Sequence, residues 1–190
     1  MLSLSAGCQE ITISLCLDYV KPTRLFWVDN TNELNTGYAV DGYARMKGLS
    51  TLVITYRVGE LSAINAVAGA YTEHAAVIYI VGSLPRPSQE SRLMIHHMLG
   101  DGEYRRFGQM YSHFTVAQIN LVDPKTPPEQ IDNMLKQYIL QSRPVYIEVP
   151  LDMVAALTLT VRGKGYTLTY AGFYHKSYEG AHNKEPQNCT

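Results

Sequence analysis

The chain has 190 residues, of which 46% are hydrophobic and 17% are charged, and its formal net charge is −1 at pH 7. This length suits one domain with a buried core, and the composition is typical of a globular protein rather than a disordered one. Because the net charge is near zero, the chain has no strong positive field that would attract polyanions, and we expect no nucleic acid partner. No apolar run approaches the ~18 residues needed to cross a bilayer, so we expect no membrane insertion.

The opening segment and the cysteines predict a cytoplasmic protein. Residues 1–8 lack a basic start and meet polar residues before an apolar region develops, which argues against a signal peptide. Cys8, Cys16 and Cys189 are odd in number and lie in no spacing typical of a disulfide framework or a zinc site. We therefore expect reduced thiols in the cytoplasm.

Short apolar, β-branched runs alternate with helix-like stretches along the chain. Such strands, separated by helices, indicate an α/β fold in which a parallel sheet is covered by helices on both faces. The predicted strands are residues 24–28, 51–55, 76–81, 114–119 and 145–149.

The first predicted helix has clear start and stop signals. Asn30, Thr31 or Asn32 can cap it, it runs to about Lys47, and Gly48 is a natural end because glycine tolerates the left-handed conformation.

The second predicted helix covers residues 60–74 and combines an apolar face with small side chains. The face consists of Leu61, Ile64, Ala68 and Tyr71, and the small residues nearby are Ala63, Ala66, Gly69 and Ala70. Small residues permit close backbone approach. Either tight helix packing inside the domain or packing against a second subunit is consistent with this pattern.

The last third of the chain predicts one more helix and then a change of character. Pro127 suits the first turn of a helix whose buried stripe is Ile131, Met134, Leu135 and Tyr138. After Pro150, residues 157–161 and 166–170 flank the glycine-containing segment 162–165, which predicts a hairpin. Beyond Tyr174 we expect a polar, mobile tail.

Three titratable residues are candidates for chemistry. Glu33 lies in the first turn of its helix, where amide donors and the helix dipole favour a negative charge, and position alone is more typical of a structural glutamate. His96 and His97 are adjacent, so only a loop could direct both into one cleft, and such pairs are commonly surface residues. Histidine changes its protonation near neutral pH, which suits proton transfer.

Four ordered blocks of sequence carry a family resemblance. They are NELN at 32–35 with DGYAR at 41–45, VGELSAIN at 58–65, IHHMLGDGE at 95–103, and SRPVYIEVP at 142–150. This pattern resembles the pyrimidine-binding domain of thiamine diphosphate enzymes, most closely the 2-oxo acid decarboxylases of fungal pyruvate decarboxylase type. The resemblance covers residues 15–153, and it leaves a divergent N-terminus at 1–14 and a divergent tail at 154–190.

The resemblance implies roles for individual residues. The glutamate matching Glu33 hydrogen-bonds the aminopyrimidine ring of the cofactor and promotes its activation, and Thr55, Val58 and Gly59 match residues that line the pyrimidine pocket. The pair His96 and His97 matches a dyad that handles protons after carbon dioxide leaves.

The resemblance also implies an activity, cofactors and partners. The activity is the non-oxidative decarboxylation of a 2-oxo acid, pyruvate to acetaldehyde, by a carbon–carbon lyase that uses thiamine diphosphate and Mg²⁺. No metal ligand is assigned to this chain, because the family holds the diphosphate and the metal on another domain. A homo-oligomer or a full-length relative is therefore needed to complete a site.

Three positions depart from the family pattern or imitate another motif. The family has glycine where Arg57 stands, and a bulky cation there is expected to block or reshape the site. No aspartate occurs near residues 10–12, so the first strand and its catalytic turn are expected to be lost or replaced. The triplet 100–102, Gly-Asp-Gly, imitates a magnesium motif but lacks the Asn-Asn that follows in such enzymes, and we predict a turn.

Two hypotheses for the function remain. In the first, the chain is a component of a decarboxylase. In the second, it is a truncated, non-catalytic remnant that lacks the diphosphate-binding domain, is inactive alone and acts as an interaction module. An unrelated α/β nucleotide-binding domain is disfavoured, because the sequence has no glycine-rich phosphate loop.

Overall fold

A computed structural model of the chain describes residues 2–6, 26–95, 99–154, 157–162 and 165–170. Its main feature is a six-stranded sheet in which all neighbouring strands are parallel, in the order β2-β1-β3-β4-β6-β5. The strands are β1 (Leu2–Ala6), β2 (Phe26–Asn30), β3 (Ser50–Thr55), β4 (Val77–Ser83), β5 (Gln118–Asn120) and β6 (Val145–Pro150). The predicted parallel α/β fold is confirmed.

In the described ranges, five helices lie between these strands. They are α1 (Glu33–Lys47), α2 (Val58–Thr72), α3 (Arg86–Glu90), α4 (Arg106–Tyr111) and α5 (Pro127–Gln141), and a short 3₁₀ turn follows at Leu151–Met153. None of the helices in the described ranges is long and apolar enough to cross a membrane.

Apolar clusters cover both faces of the sheet. On one face, Val40 of α1 and Val67 of α2 pack with Leu52 of β3. On the other face, Met134 and Tyr138 of α5 pack against β4 and β6. Because Ile131 and Leu135 also pack against this second cluster, the predicted stripe of α5 is confirmed.

The strand β1 lies inside the sheet, between β2 and β3. Leu2 pairs with Phe26 on one side and with Ser50 on the other. A strand therefore stands in the region where the sequence predicts that the family strand is lost or replaced. The expected position of the missing catalytic turn, residues 10–12, lies outside the described residues.

The predicted start of the strand at residues 114–119 is wrong, because β5 covers only Gln118–Asn120. After α4 the backbone keeps a helical turn, in which the Phe114 N–H donates to the carbonyl of Tyr111 and the Thr115 hydroxyl donates to the same carbonyl. Phe114 and Thr115 thus bond back to the end of the helix, and backbone hydrogen bonds to the β6 side of the sheet begin at Val116 and Ala117.

The helix α1 begins and ends where the sequence predicts. The Asn32 side chain accepts hydrogen bonds from the N–H groups of Leu34 (3.0 Å) and Asn35 (3.2 Å), as an N-cap residue does. At the other end, Gly48 has φ of 88° and its N–H donates to the carbonyl of Ala44. This cap makes Glu33 the first residue of the helix.

The buried face of α2 differs from the prediction. The small residues Ala63, Ala66 and Ala70 are buried, whereas the larger Leu61 and Ile64 are only partly buried. The reason is the close approach of α1: a Cβ added at Gly37 would lie 2.8 Å from the Cβ of Ala66. The small residues therefore pack two helices together inside the domain.

The predicted hairpin is present as β7 (Leu157–Arg162) and β8 (Gly165–Tyr170), which pair antiparallel. The tail predicted beyond Tyr174 lies outside the described residues.

Candidate functional site

The candidate residues lie at the carboxyl ends of the parallel strands. Glu33 follows β2, Arg57 and Val58 follow β3, and Leu84 follows β4. In open α/β sheets this edge is where ligands bind, because the loops leaving the strands diverge there.

The structure brings Glu33 against the start of α2. A Cβ added at Gly59 would lie 2.6 Å from Cγ2 of Thr55 and 3.1 Å from Oε1 of Glu33. Only a residue without a side chain leaves room for this approach. Glu33, Thr55 and Gly59 thus form one junction, although they come from three different elements of the chain.

Val58 completes the apolar side of this junction. It is the first residue of α2 and its side chain is 48% exposed, beside the buried Gly59. A partly exposed carboxylate next to an exposed aliphatic side chain suits a flat heteroaromatic ring, because the carboxylate can hydrogen-bond a ring nitrogen while the aliphatic group contacts the ring. The four predicted cofactor-binding residues therefore lie next to one another, with Glu33 and Val58 accessible and Thr55 and Gly59 buried.

The other two predicted catalytic residues, His96 and His97, lie outside the described residues. Their loop is described from Leu99 onward, where Gly100 has φ of 77° and Gly102 has φ of 69°. Between them, the Asp101 carboxylate accepts a hydrogen bond from the Glu103 N–H (3.0 Å) and pairs with Arg106 (3.1 Å). The Gly-Asp-Gly triplet is therefore a turn, as predicted.

Arg57 does not lie over Glu33. Its side chain turns into the interior and lines a small cavity with Glu60, Tyr104 and Glu148, and Glu33 does not line this cavity. The expectation that Arg57 blocks or reshapes the site stays a prediction. Its backbone has φ of 63°, a conformation that glycine adopts readily and that other residues rarely adopt.

Glu60 is the centre of a buried polar network behind the junction. Its Oε1 accepts a hydrogen bond from the Arg57 N–H (2.6 Å), and its Oε2 accepts one from the Tyr146 hydroxyl (2.9 Å). The Tyr111 hydroxyl donates to the Glu60 carbonyl. Burial raises the pKa of the Glu60 carboxyl to about 8, although both hydrogen bonds to the carboxylate oppose this rise.

Glu148 is the second buried carboxylate of the network. Its Oε2 lies 2.5 Å from Nη1 of Arg105, and that side chain is partly exposed. Burial raises the pKa of Glu148, and the Arg105 charge opposes this rise. Sequence reasoning assigned no role to Glu60 or Glu148. One sequence signal could have indicated this network: Glu148 is the single charged residue within the apolar strand β6, and buried charges are rare unless they are paired.

We expect Glu60 to make stability depend on pH, and Glu60→Gln to reduce that dependence. The pKa of Glu60 is about 8 in the folded chain and near its ordinary value when unfolded, so between about pH 4.5 and 8 the folded state binds the extra proton. Stability from this group therefore falls as pH rises through that window, by at most about 1.4 kcal/mol per pH unit. Glutamine keeps the shape without the titration.

Urea unfolding at pH 5, 6, 7 and 8 measures this dependence. Glu129→Gln is the matched control, since Glu129 is exposed in the first turn of α5. Equal pH slopes for the wild-type chain and Glu60→Gln would contradict the assignment.

The described residues hold no group of three or more His, Cys, Asp or Glu side chains arranged to bind a metal ion.

Comparison with known proteins agrees with this geometry. The family profile described as thiamine pyrophosphate enzyme, N-terminal TPP binding domain, matches residues 6–104, which include Glu33, the Thr55–Gly59 segment and the histidine pair. The chain belongs to this thiamine pyrophosphate enzyme family. Thiamine pyrophosphate is another name for thiamine diphosphate.

Individual relatives of the thiamine pyrophosphate enzyme family are similar over most of this chain. A pyruvate decarboxylase of Aspergillus parasiticus is 56% identical over 141 residues, which are 74% of this chain and 24% of that protein. An alpha-keto-acid decarboxylase of Mycobacterium avium is 48% identical over 130 residues, which are 68% and 23% of the two chains. A pyruvate decarboxylase of Kluyveromyces lactis is 39% identical over 145 residues, which are 76% and 26%. The chain therefore spans about a quarter of the length of these relatives.

Proposed function

We propose that this chain supplies the pyrimidine-facing half of a thiamine diphosphate site in a 2-oxo acid decarboxylase. The reaction is the non-oxidative conversion of pyruvate to acetaldehyde and carbon dioxide, as the names of the similar proteins suggest. The observation that carries the proposal is the junction of Glu33, Thr55 and Gly59, in which glycine alone allows the carboxylate to reach the start of α2.

Each residue of the junction has a role in this proposal. Glu33 holds and transfers a proton at its carboxylate oxygen, facing a ring nitrogen of the cofactor. Val58 provides the apolar contact to the pyrimidine ring, and Gly59 keeps the approach open. When bound, thiamine diphosphate supplies the electron sink for breaking the bond between the carboxylate and the carbonyl carbon of the substrate. His96 and His97 are proposed to move protons near the substrate.

The other half of the site is proposed to come from a diphosphate-binding domain, together with Mg²⁺. A second copy of a full-length relative is the partner we propose for this chain. The alternative is an interaction module, in which the chain associates with such a relative but contributes nothing to catalysis.

Complementation tests the proposal. The full chain is co-expressed with the Aspergillus parasiticus decarboxylase, in which the glutamate aligned with Glu33 has been replaced by glutamine. Co-purification with restored acetaldehyde production supports the proposal. Co-purification without activity supports the interaction module, and no association with no activity contradicts both. Calorimetry with thiamine diphosphate and Mg²⁺ on the purified complex measures the cofactor directly.

A further inference from the structure

The guanidinium of Arg57 is buried without an acceptor. The side chain is only 2% exposed, and neither Nη1 nor Nη2 has a hydrogen-bond partner among the described residues. Buried polar groups in folded proteins are nearly always hydrogen-bonded, and a buried cation without a partner is strongly unfavourable. The described residues therefore leave two donors of this cation without an acceptor.

Aromatic rings approach the guanidinium but leave its donors available. Its Cζ lies 4.9 Å from the ring centre of Tyr56 and 4.4 Å from that of Tyr104. Ring faces attract a cation, but they do not replace the oxygen acceptors that N–H groups need. The Tyr104 hydroxyl is itself engaged, since it donates to the Leu93 carbonyl.

The carboxylates nearby are also engaged. Glu148, from β6, is paired with Arg105, which comes just before α4. Both oxygens of Glu60, from α2, accept hydrogen bonds from other groups, and its pKa of about 8 keeps it neutral at pH 7. Both carboxylates interact electrostatically with Arg57, but neither accepts a hydrogen bond from its Nη1 or Nη2.

We propose that Arg57 binds a small carboxylate monoanion in the cavity at the carboxyl ends of β3, β4 and β6. A carboxylate is planar and accepts two parallel hydrogen bonds from one guanidinium, which matches the two unpaired nitrogen atoms Nη1 and Nη2. The cavity is small and is open to solvent on one side, so only a ligand of a few non-hydrogen atoms would fit beside the guanidinium.

The site is independent of the proposed cofactor junction, because Glu33 does not line the cavity. It also depends on a residue that the family replaces by glycine. Binding should weaken at high pH, since ionised Glu60 faces the same cavity. The other titratable groups around Arg57 are Tyr56, Tyr104, Tyr146, Glu148 and its partner Arg105.

Calorimetric titration of the full chain with sodium acetate tests the proposal, with sodium chloride as the spherical monoanion for comparison. At pH 6.5 we expect saturable binding of one acetate per chain, at least tenfold tighter than chloride. At pH 9 we expect at least tenfold weaker acetate binding. No saturation by acetate, or equal affinities for acetate and chloride, would overturn the proposal.

Two variants locate the site, and a third is the matched control. Arg57→Gly should abolish acetate binding, whereas Arg92→Gly should not, because Arg92 has φ of 49° but is exposed. Glu60→Gln should keep binding at pH 6.5 and remove the weakening at pH 9, which tests the site even if Arg57→Gly fails to fold. Acetate binding that survives in folded Arg57→Gly, or an unchanged pH effect in Glu60→Gln, would overturn the assignment.

Discussion

Glu33→Gln should abolish the activity that this chain restores to a complemented decarboxylase. Glutamine keeps the size and the hydrogen-bonding oxygen, but it cannot carry the proton that a carboxylate exchanges with a ring nitrogen. General acid–base groups typically contribute about 10²–10⁴-fold to rate, so a loss of this size in acetaldehyde production is expected. Acetaldehyde release by the co-purified complex is the measurement.

The control for Glu33 is another glutamate at the start of a helix. Glu129 lies in the first turn of α5 and is exposed, so Glu129→Gln should leave the restored activity unchanged. Co-purification should show that the Glu33→Gln variant still associates with the complemented decarboxylase. Full activity of Glu33→Gln in that complex would rule out the proposed role of this carboxylate.

Gly37→Leu should destabilise the chain strongly, because α1 and α2 touch at this residue. Even a Cβ at Gly37 would lie 2.8 Å from the Cβ of Ala66. An alanine side chain has no rotatable part that could move away from this clash, so one of the two helices would have to shift. Overpacking of this kind costs about 1–3 kcal/mol of the free energy of unfolding. Urea unfolding followed by circular dichroism measures the change.

Gly42→Leu is the matched control on the same helix. A Cβ at Gly42 meets nothing within 4 Å, so the replacement adds helix propensity without a clash. We expect a gain of about 0.5–1 kcal/mol. If both leucine variants change the free energy of unfolding equally, the close contact between α1 and α2 does not determine which side chains residue 37 tolerates.

The sequence predicted the parts of the fold that depend on local signals. The cap within residues 30–32, the stop at Gly48 and the stripe of α5 follow from side-chain chemistry and spacing alone, whereas the choice of Asn32 comes from the structure. The buried face of α2 was mispredicted, because large apolar residues were assumed to face the core. Which face is buried depends on how closely α1 approaches, and that distance is a property of the assembled domain.

The candidate site divides in the same way. Glu33, Thr55, Val58 and Gly59 could be selected from their motifs, and the structure brings them together. The cavity behind them could not be predicted, because Glu148 is about ninety residues away in the sequence from Arg57 and Glu60. The direction of the Arg57 side chain depends on its positive φ, which a sequence does not reveal for a residue other than glycine.

The position of β1 determines how the chain tolerates truncation and in which order its strands can pair. Among the described strands, β2 pairs only with β1, so the first few residues of the chain join β2 to the rest of the sheet. Deleting residues 2–6 would detach the strand that leads into Glu33, although no candidate residue is removed. The strand β1 precedes both of its neighbours in the chain, so this edge of the sheet can form only after β3 has been synthesised, through long-range pairing.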